Sequence, residues 1–583
     1  MTEESAPGPR VRVERAARRV GAVALSPPGA VAAVALAAVL YRLGERPLWW
    51  WDESFYAVAA RLALDHGYWV VPYTAGFDRL APYPFLEKPP LSIWLEAVSI
   101  WLLGPTEFAV RLPSALAGVG AVLLAYAVAR RIDGRVAGVA AATVLLTTPM
   151  LLVGTNGARY GAYDTLHVLL GSGLVAAVWL RATDRRAVGA LPTGLVCGAL
   201  LLTKGFAAGA FLLVAAPVVV LRRERFGVGY VAVAGGVAAA LAGGWVVAAS
   251  LATGPALVSE LFVEQVWRRV TGEMSTASHE TVVPLLRYPY ATAAQAWAWP
   301  WWFVFLAGAV VTLRRWVRER SDDDLILGWW TVGVALPFAL AGTVPWYVLP
   351  ACVPGAVVVG RTVAAAARGE RPALAAVGTG TLLVVLAGTD RRLYEPATEG
   401  WVTLAPGSDF ALAGAFGVLA LLAGAALLTT RFDLSALAAE PRSVDGARVA
   451  RLAVVAAVVG AAVAGLVGAP SAYDVPVETE TTEEIDTAMR DFGRQSGAAV
   501  PAGDVVYVQP NAAAQWFYSS FVFYSDRGVR RTSVERLRTD PTVEYAIFTE
   551  QGVPLADDRE PTVLVRSERL ELVLVRLGPP PEG

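Results

Sequence analysis

The sequence predicts a polytopic α-helical membrane protein that carries a small α+β domain at its C-terminal end. Three observations predict it. Of 583 residues, 55% are hydrophobic and only 17% charged, and apolar stretches of about 18 or more residues recur, long enough to cross a bilayer. Arginine-rich connections separate those stretches at 130–135, 181–186, 222–225, 314–320, 361–371 and 442–451. From Ser471 onward the long apolar stretches stop. That tail holds 19 Asp and Glu against 11 Arg, a net charge of −8, although the whole chain carries only −1.

The candidate spans are 28–44, 109–129, 136–154, 164–181, 187–203, 205–221, 228–252, 291–312, 325–342, 345–365, 372–389, 410–430 and 452–469, thirteen in all. Residues 89–104 are apolar but short, open with Pro89-Pro90 and contain Glu96. If they lie on the membrane surface, every arginine-rich connection falls on the side of the basic N-terminus, with its Arg10, Arg12, Arg15, Arg18 and Arg19. If they span, every connection flips. Positive charge favours the cytoplasm, so 89–104 reads as an interfacial helix with Trp94 and Trp101 at headgroup level. The division that follows is a cytoplasmic basic segment at 1–27, a transmembrane module at 28–470 with outer loops 45–108 and 253–290, and an extracytoplasmic soluble domain at 471–583. In that domain a helix is expected over 481–496. Alternating runs at 505–509, 520–524, 545–549, 562–566 and 570–576 predict a mostly β core.

Several classes are excluded or unsupported. Cys197 and Cys352 both sit in apolar helices, so neither a disulfide framework nor a metal cluster is implied. No internal repeat, phosphate-binding loop or dinucleotide fingerprint is visible, and no nucleic-acid partner is expected. A lipid transporter remains the alternative, but its charges belong near the bilayer midplane on broken helices in repeated halves. Here they gather at one membrane face.

That face carries the candidate chemistry. Lys88 and Lys204 are the only lysines among 49 basic residues. A lysine is a compact point charge with three rotatable donors, suited to phosphate. Asp52 and Glu53 follow Trp49-Trp50-Trp51 at a membrane boundary, where adjacent carboxylates are costly unless they form a site. Glu87 precedes Lys88. Arg159 and Asp164 bracket a short outer loop, Arg268 follows an aromatic segment, and Tyr347 opens a later span. Cations at this depth suit an anionic lipid headgroup, and carboxylates suit general-base work on a hydroxyl. Of the three histidines, His66 reads as the end of a helix, His167 as buried, and His279 in the large outer loop as a substrate or metal contact. A divalent metal is left open.

The order of motifs resembles the GT-C type glycosyltransferases that depend on lipid-phosphate sugars. The closest patterns are the bacterial lipid A aminoarabinose transferases and relatives of the protein O-mannosyltransferases. The pieces that carry the resemblance are Trp51-Asp52-Glu53, Phe85 to Leu91 with Glu87-Lys88-Pro89-Pro90, Phe108 to Ser114, Leu202-Thr203-Lys204-Gly205, Phe262 to Arg268, His279 with Pro284, and Pro345 to Pro350. They cover roughly residues 28–370. Where that family has Glu-His before the arginine, this chain has Glu264-Gln265, and Thr343 stands where a basic residue is common. The resemblance implies interfacial helices in the first outer loop, thirteen spans and an extracytoplasmic C-terminal domain. It also implies a sugar donor linked to polyprenyl (dolichyl) phosphate and an acceptor that is a glycan, protein or lipid. Carried over by motif, Asp52 is the base or acceptor-positioning acid and Asp164 a second candidate acid; Glu53, beside Asp52, is a further catalytic candidate. Lys88, Arg268 and Tyr347, helped by Lys204 and Arg159, would hold the donor phosphate, with Glu87 and His279 as further contacts.

Overall fold

The computed structural model describes residues 26–49, 51–76, 80–152, 156–184, 188–268, 301–319, 321–341, 345–370, 373, 377, 392–395, 400–403, 480–512 and 518–580. The predicted spans 410–430 and 452–469, nearly all of 372–389, and His279 lie outside them.

Helix α1, Pro27–Leu40, starts where Ser26 Oγ accepts the Gly29 N–H at 3.3 Å and proline fills the first helical positions, an arrangement that spares donors a helix N-terminus leaves unpaired. The loop after α1 then holds α2, Asp52–His66, and α3, Leu91–Leu103, joined through a short hairpin of β1, Tyr73–Thr74, and β2, Tyr83–Pro84. As expected, His66 closes its helix, with Gly67 left-handed behind it. Helix α3 has 13 residues and so reaches only about 20 Å, against a bilayer core of about 30 Å. Its Glu96 is buried, whereas Val98, Trp101 and Leu102 are exposed. An apolar outer face with the carboxyl turned inward suits a helix lying in the interface.

Helix α4, Glu107–Leu146, joins two predicted spans into one 40-residue element. They are broken at Asp133–Gly134, where Gly134 takes φ +83°. Pro113 lies inside its first turns and cannot donate to the Ala109 carbonyl; Ser99 Oγ donates there instead at 2.6 Å. The helices α5 (Asp164–Thr183), α6 (Ala190–Lys204), α7 (Gly209–Leu221), α8 (Arg223–Thr253), α9 (Trp301–Glu319), α10 (Asp322–Ala341) and α11 (Leu349–Ala367) follow. Helix α11 is buried along its length against α4. A Cβ on Gly360 would stand 2.4 Å from the Ala137 carbonyl oxygen, so small residues let the two backbones approach, as membrane helices favour. Helix α8 instead exposes Val228, Val247 and Leu251, an apolar surface with lipid as its natural neighbour. Among the described residues, five helical stretches are long and apolar enough to cross a membrane: 107–146, 164–183, 190–221, 223–253 and 349–367.

Strands β3, Arg392–Glu395, and β4, Gly400–Thr403, form a separate antiparallel pair. The C-terminal part is α+β, as expected. Its five-stranded sheet has the order β6 (Gly528–Arg531), β5 (Val505–Val508), β7 (Tyr545–Thr549), β9 (Leu572–Arg576), β8 (Thr562–Ser567). Strand β5 is parallel to both neighbours, and β9 is antiparallel to β7 and β8. The helix expected over 481–496 is α12, Glu480–Ala499. One expectation fails: the run 520–524 is not a strand but part of helix α13, Tyr518–Ser525. Tyr518 and Phe521, three residues apart, share one core with Phe492, while Phe523 enters another. That distribution follows helical rather than alternating spacing. Strand β6, with buried Val529 between exposed neighbours, was too short to register as a run.

The loop after α1 and this domain interlock. Leu80 of the loop enters the domain's core, and Phe523 enters the loop's. Leu48 N–H donates to Tyr524 Oη at 2.7 Å, and Arg494 pairs with Glu107 at 2.9 Å. Gly76 takes φ +90°, and a Cβ there would fall 2.4 Å from the Ser519 amide nitrogen, so only glycine allows this contact.

Candidate active site

The site is assembled from the starts and ends of helices. Helix α2 begins at Asp52, where acidic side chains suit the positive end of the helix dipole. Its neighbour Glu53 is fully buried. Both Glu53 oxygens take the Arg111 guanidinium, at 2.7 and 2.8 Å, and they also accept the Gly161 N–H at 2.8 Å and the Trp49 N–H at 2.9 Å. Arg111 directs its other donors to the carbonyls of Leu43, Arg46 and Pro47 at 2.7–3.0 Å. A buried ion pair is stable only when its remaining donors and acceptors are satisfied in this way. A Cβ on Gly161 would come 2.6 Å from Val110 Cγ1, so glycine lets the loop before α5 close over the carboxylate. The pair ties three segments together and fixes the start of α2.

Asp52 is thereby held among charges. Burial, and then the Asp164 carboxylate, push its carboxyl up to about 7, against the opposing pull of Lys88. Glu87 raises it further and Lys204 lowers it. Two buried phenols stand beside it. Tyr56 and Tyr163 pack edge to face with ring centroids 5.1 Å apart and share a hydrogen bond. Burial raises both phenols well above their ordinary range, and the Asp52 charge adds to the effect. They stay protonated donors.

Asp164 opens α5, and its Oδ1 accepts from Lys204 Nζ at 2.5 Å. The buried Oδ2 has no hydrogen-bond partner among the described residues. Lys204 closes α6, where a cation suits the negative end of the dipole. Its ammonium lies 4.9 Å from the Tyr163 ring centre and 6.0 Å from that of Tyr347. Behind it Gly205 turns the chain at φ +52°, against Pro89. The two lysine motifs therefore abut. Lys88 is 9% exposed; its Nζ donates to Gln265 Oε1 at 3.0 Å and lies 3.9 Å from Glu87. Gln265 belongs to a π-helix, Ser259–Trp267, a rare conformation that recurs at functional sites. Gln265 also donates to Glu260 at 3.3 Å, whose carboxyl burial raises. Arg268 follows this helix and pairs with Glu264 at 2.8 Å.

Of the residues singled out in the sequence, Asp52, Glu87, Lys88, Asp164 and Lys204 thus form one electrostatic group, with Tyr347 at its edge and Arg268 one turn beyond Lys88's partner. Glu53 goes to the Arg111 knot. Arg159 donates to the carbonyls of Ala38, Val39 and Tyr41 at 2.6–3.3 Å, satisfying the C-terminal end of α1. Sequence reasoning missed Arg111, Tyr56, Tyr163 and Gln265 as parts of the arrangement. For Arg111 the signal was there: a cation a turn inside an apolar helix demands a buried partner. Among the described residues, no three His, Cys, Asp or Glu side chains gather as a metal set.

Comparison with known proteins gives this geometry a context. Residues 87–247 match the family model of dolichyl-phosphate-mannose-protein mannosyltransferases. Over 325 residues, 54% of the chain, the sequence is 28% identical to the undecaprenyl phosphate-alpha-4-amino-4-deoxy-L-arabinose arabinosyl transferase of Photorhabdus laumondii. Over 333 residues, also 54% of the chain, it is 32% identical to the protein of that name from Erwinia tasmaniensis. Each match covers 55% of the relative, so the chain spans little more than half the length of these relatives. The fold is similar to that of ArnT from Cupriavidus metallidurans. With undecaprenyl phosphate bound to that protein, the TM-score is 0.63 at 20% identity, over 94% of this chain and 97% of that one. In its apo state the values are 0.61, 19%, 96% and 98%. At these identities the likeness is one of fold, a helical membrane module followed by an α+β domain. These likenesses agree with the resemblance that the motif order carries to the GT-C type glycosyltransferases.

Proposed function

We propose that the protein transfers a sugar from a polyprenyl phosphate to a hydroxyl of an extracytoplasmic acceptor, with inversion at the anomeric carbon. The observation that carries the reading is Asp52: a carboxyl poised near neutral pH beside a buried lysine and a second carboxylate. A general base works best when its pKa lies near the working pH. The acceptor oxygen attacks the anomeric carbon, the bond from that carbon to the phosphate oxygen breaks, and the acceptor proton passes to Asp52. The departing group is the polyprenyl phosphate, which gains negative charge. Lys88 faces that charge, with Arg268 and Tyr347 as further donors. The Lys204–Asp164 pair orients the site and balances Asp52. Charge stabilisation of this kind is worth at least as much as the roughly 10²–10⁴-fold of general-base assistance.

The names of the relatives support a lipid-phosphate donor, and an aminoarabinose transferase makes a lipid acceptor one candidate beside a glycan or a protein. The orientation, with this site and the C-terminal domain on the extracytoplasmic face, rests on the arginine-rich connections. A lipid transporter gains no support, because the charges cluster at helix ends on one face. Lys88→Ala tests the phosphate role. The variant should fold normally, yet turn over orders of magnitude more slowly and bind polyprenyl phosphate more weakly. Near-normal turnover would overturn that role.

A further inference from the structure

Away from the Asp52 group, a cavity of about 130 Å³ lies in the seam between α2 and the C-terminal domain. Val58, Leu62 and Val522 supply apolar wall, and Asp65, His66 and Asp526 supply polar groups. We propose that this cavity binds one pyranose ring of a neutral carbohydrate, a remote unit of the acceptor; the acceptor assignment rests on the sugar-transfer reading above, the ring site does not.

Size comes first. A dry apolar cavity of about 150 Å³ accommodates benzene, so this one holds about one six-membered ring. Charge comes next. Arg61 and Arg527 on the walls balance Asp65 and Asp526, which favours neither an anion nor a cation. A pyranose matches both surfaces: its C–H face suits the valines and leucine, and its hydroxyls can donate to carboxylates and exchange hydrogen bonds with imidazole. Benzene itself would desolvate Asp65 and His66 without offering either a hydrogen bond.

The cavity is preformed. Arg61 donates to the Phe523 carbonyl at 2.5 Å and pairs with Asp526, which binds the α2 wall to the domain wall. Arg527 donates to the carbonyls of Gly497 and Val500, each at 2.7 Å, which fixes the far side. Position decides the role. Leu62 lies ten residues along α2 from Asp52 and His66 fourteen, about 15 and 21 Å at 1.5 Å per residue. A ring held there is too far from Asp52 to react. It is a place where remote binding energy can orient a longer acceptor.

The test is saturation-transfer NMR on the full chain in detergent. The probes are millimolar methyl pyranosides of mannose, glucose and galactose, and their trisaccharides. Wild type should transfer saturation to at least one of these. Leu62→Trp, which fills a ring-sized space, should abolish the transfer. Asp65→Ala, a change at an exposed position, should weaken binding roughly tenfold, the loss of about one hydrogen bond. Polyprenyl phosphate binding, measured in parallel, should persist in both variants. No transfer to any probe, or transfer unchanged in both variants, would overturn the site. Carbohydrate binding in a wild-type protein that binds no polyprenyl phosphate would uphold the ring site and remove its role as an acceptor subsite.

Discussion

Replacing Asp52 by asparagine separates the cost of its carboxylate from its use. The carboxyl titrates near 7 in the folded protein against an ordinary value of 3.8. A raised acid pKa means that the fold resists ionisation. Below the ordinary value both folded and unfolded states are protonated, and no penalty exists. As pH rises from there, the unfolded chain ionises first, and the penalty grows until the folded group also ionises near pH 7. Three pKa units correspond to a ceiling of about 4 kcal/mol. Asp52 keeps partial contact with solvent, so the realised figure is smaller. Asp52→Asn should therefore be more stable than wild type above pH 7, and the difference should shrink towards pH 4. Its turnover should move the other way. Wild-type rate should rise with pH through about 7 as the base form accumulates, whereas the variant should lose roughly 10²–10⁴-fold and lose that pH step. The assay pairs sugar-transfer rate with thermal unfolding in detergent across the same pH series. A variant with wild-type turnover and an unchanged pH step would refute the assignment of Asp52 as base.

Further expectations concern the frame around the site. Glu53→Gln keeps the shape but leaves the Arg111 charge buried without its counter-ion, which should cost about 3–5 kcal/mol and appear as a large fall in melting temperature. Tyr524→Phe strands the Leu48 N–H at the junction of loop and domain; a loss of about 1–3 kcal/mol should appear as earlier proteolysis of the C-terminal domain.

Much of this arrangement was legible in the sequence, for physical reasons. Among the described residues, the five stretches long enough to cross a bilayer follow from hydropathy, because a spanning helix needs about 20 predominantly apolar residues. Lys88, Lys204, Asp52 and Asp164 announced themselves because charge at a membrane boundary is costly unless used. Three things were hidden. The partition between Asp52 and Glu53 depends on Arg111, 58 residues further on, and adjacent carboxylates look alike until a partner claims one. The Lys88–Gln265 contact joins residues 177 apart through a π-helix, which no local periodicity predicts. Helix α13 read as a strand because five residues are too few to separate a period of 2 from one of 3.6.

The most direct measurement is transfer of a radiolabelled sugar. Purified protein in detergent is given polyprenyl-phosphate sugars and total membrane acceptors, wild type beside Asp52→Asn. The account predicts label moving to an acceptor fraction with wild type and almost none with the variant. Folded wild-type protein that binds polyprenyl phosphate yet transfers no sugar from any donor would contradict it.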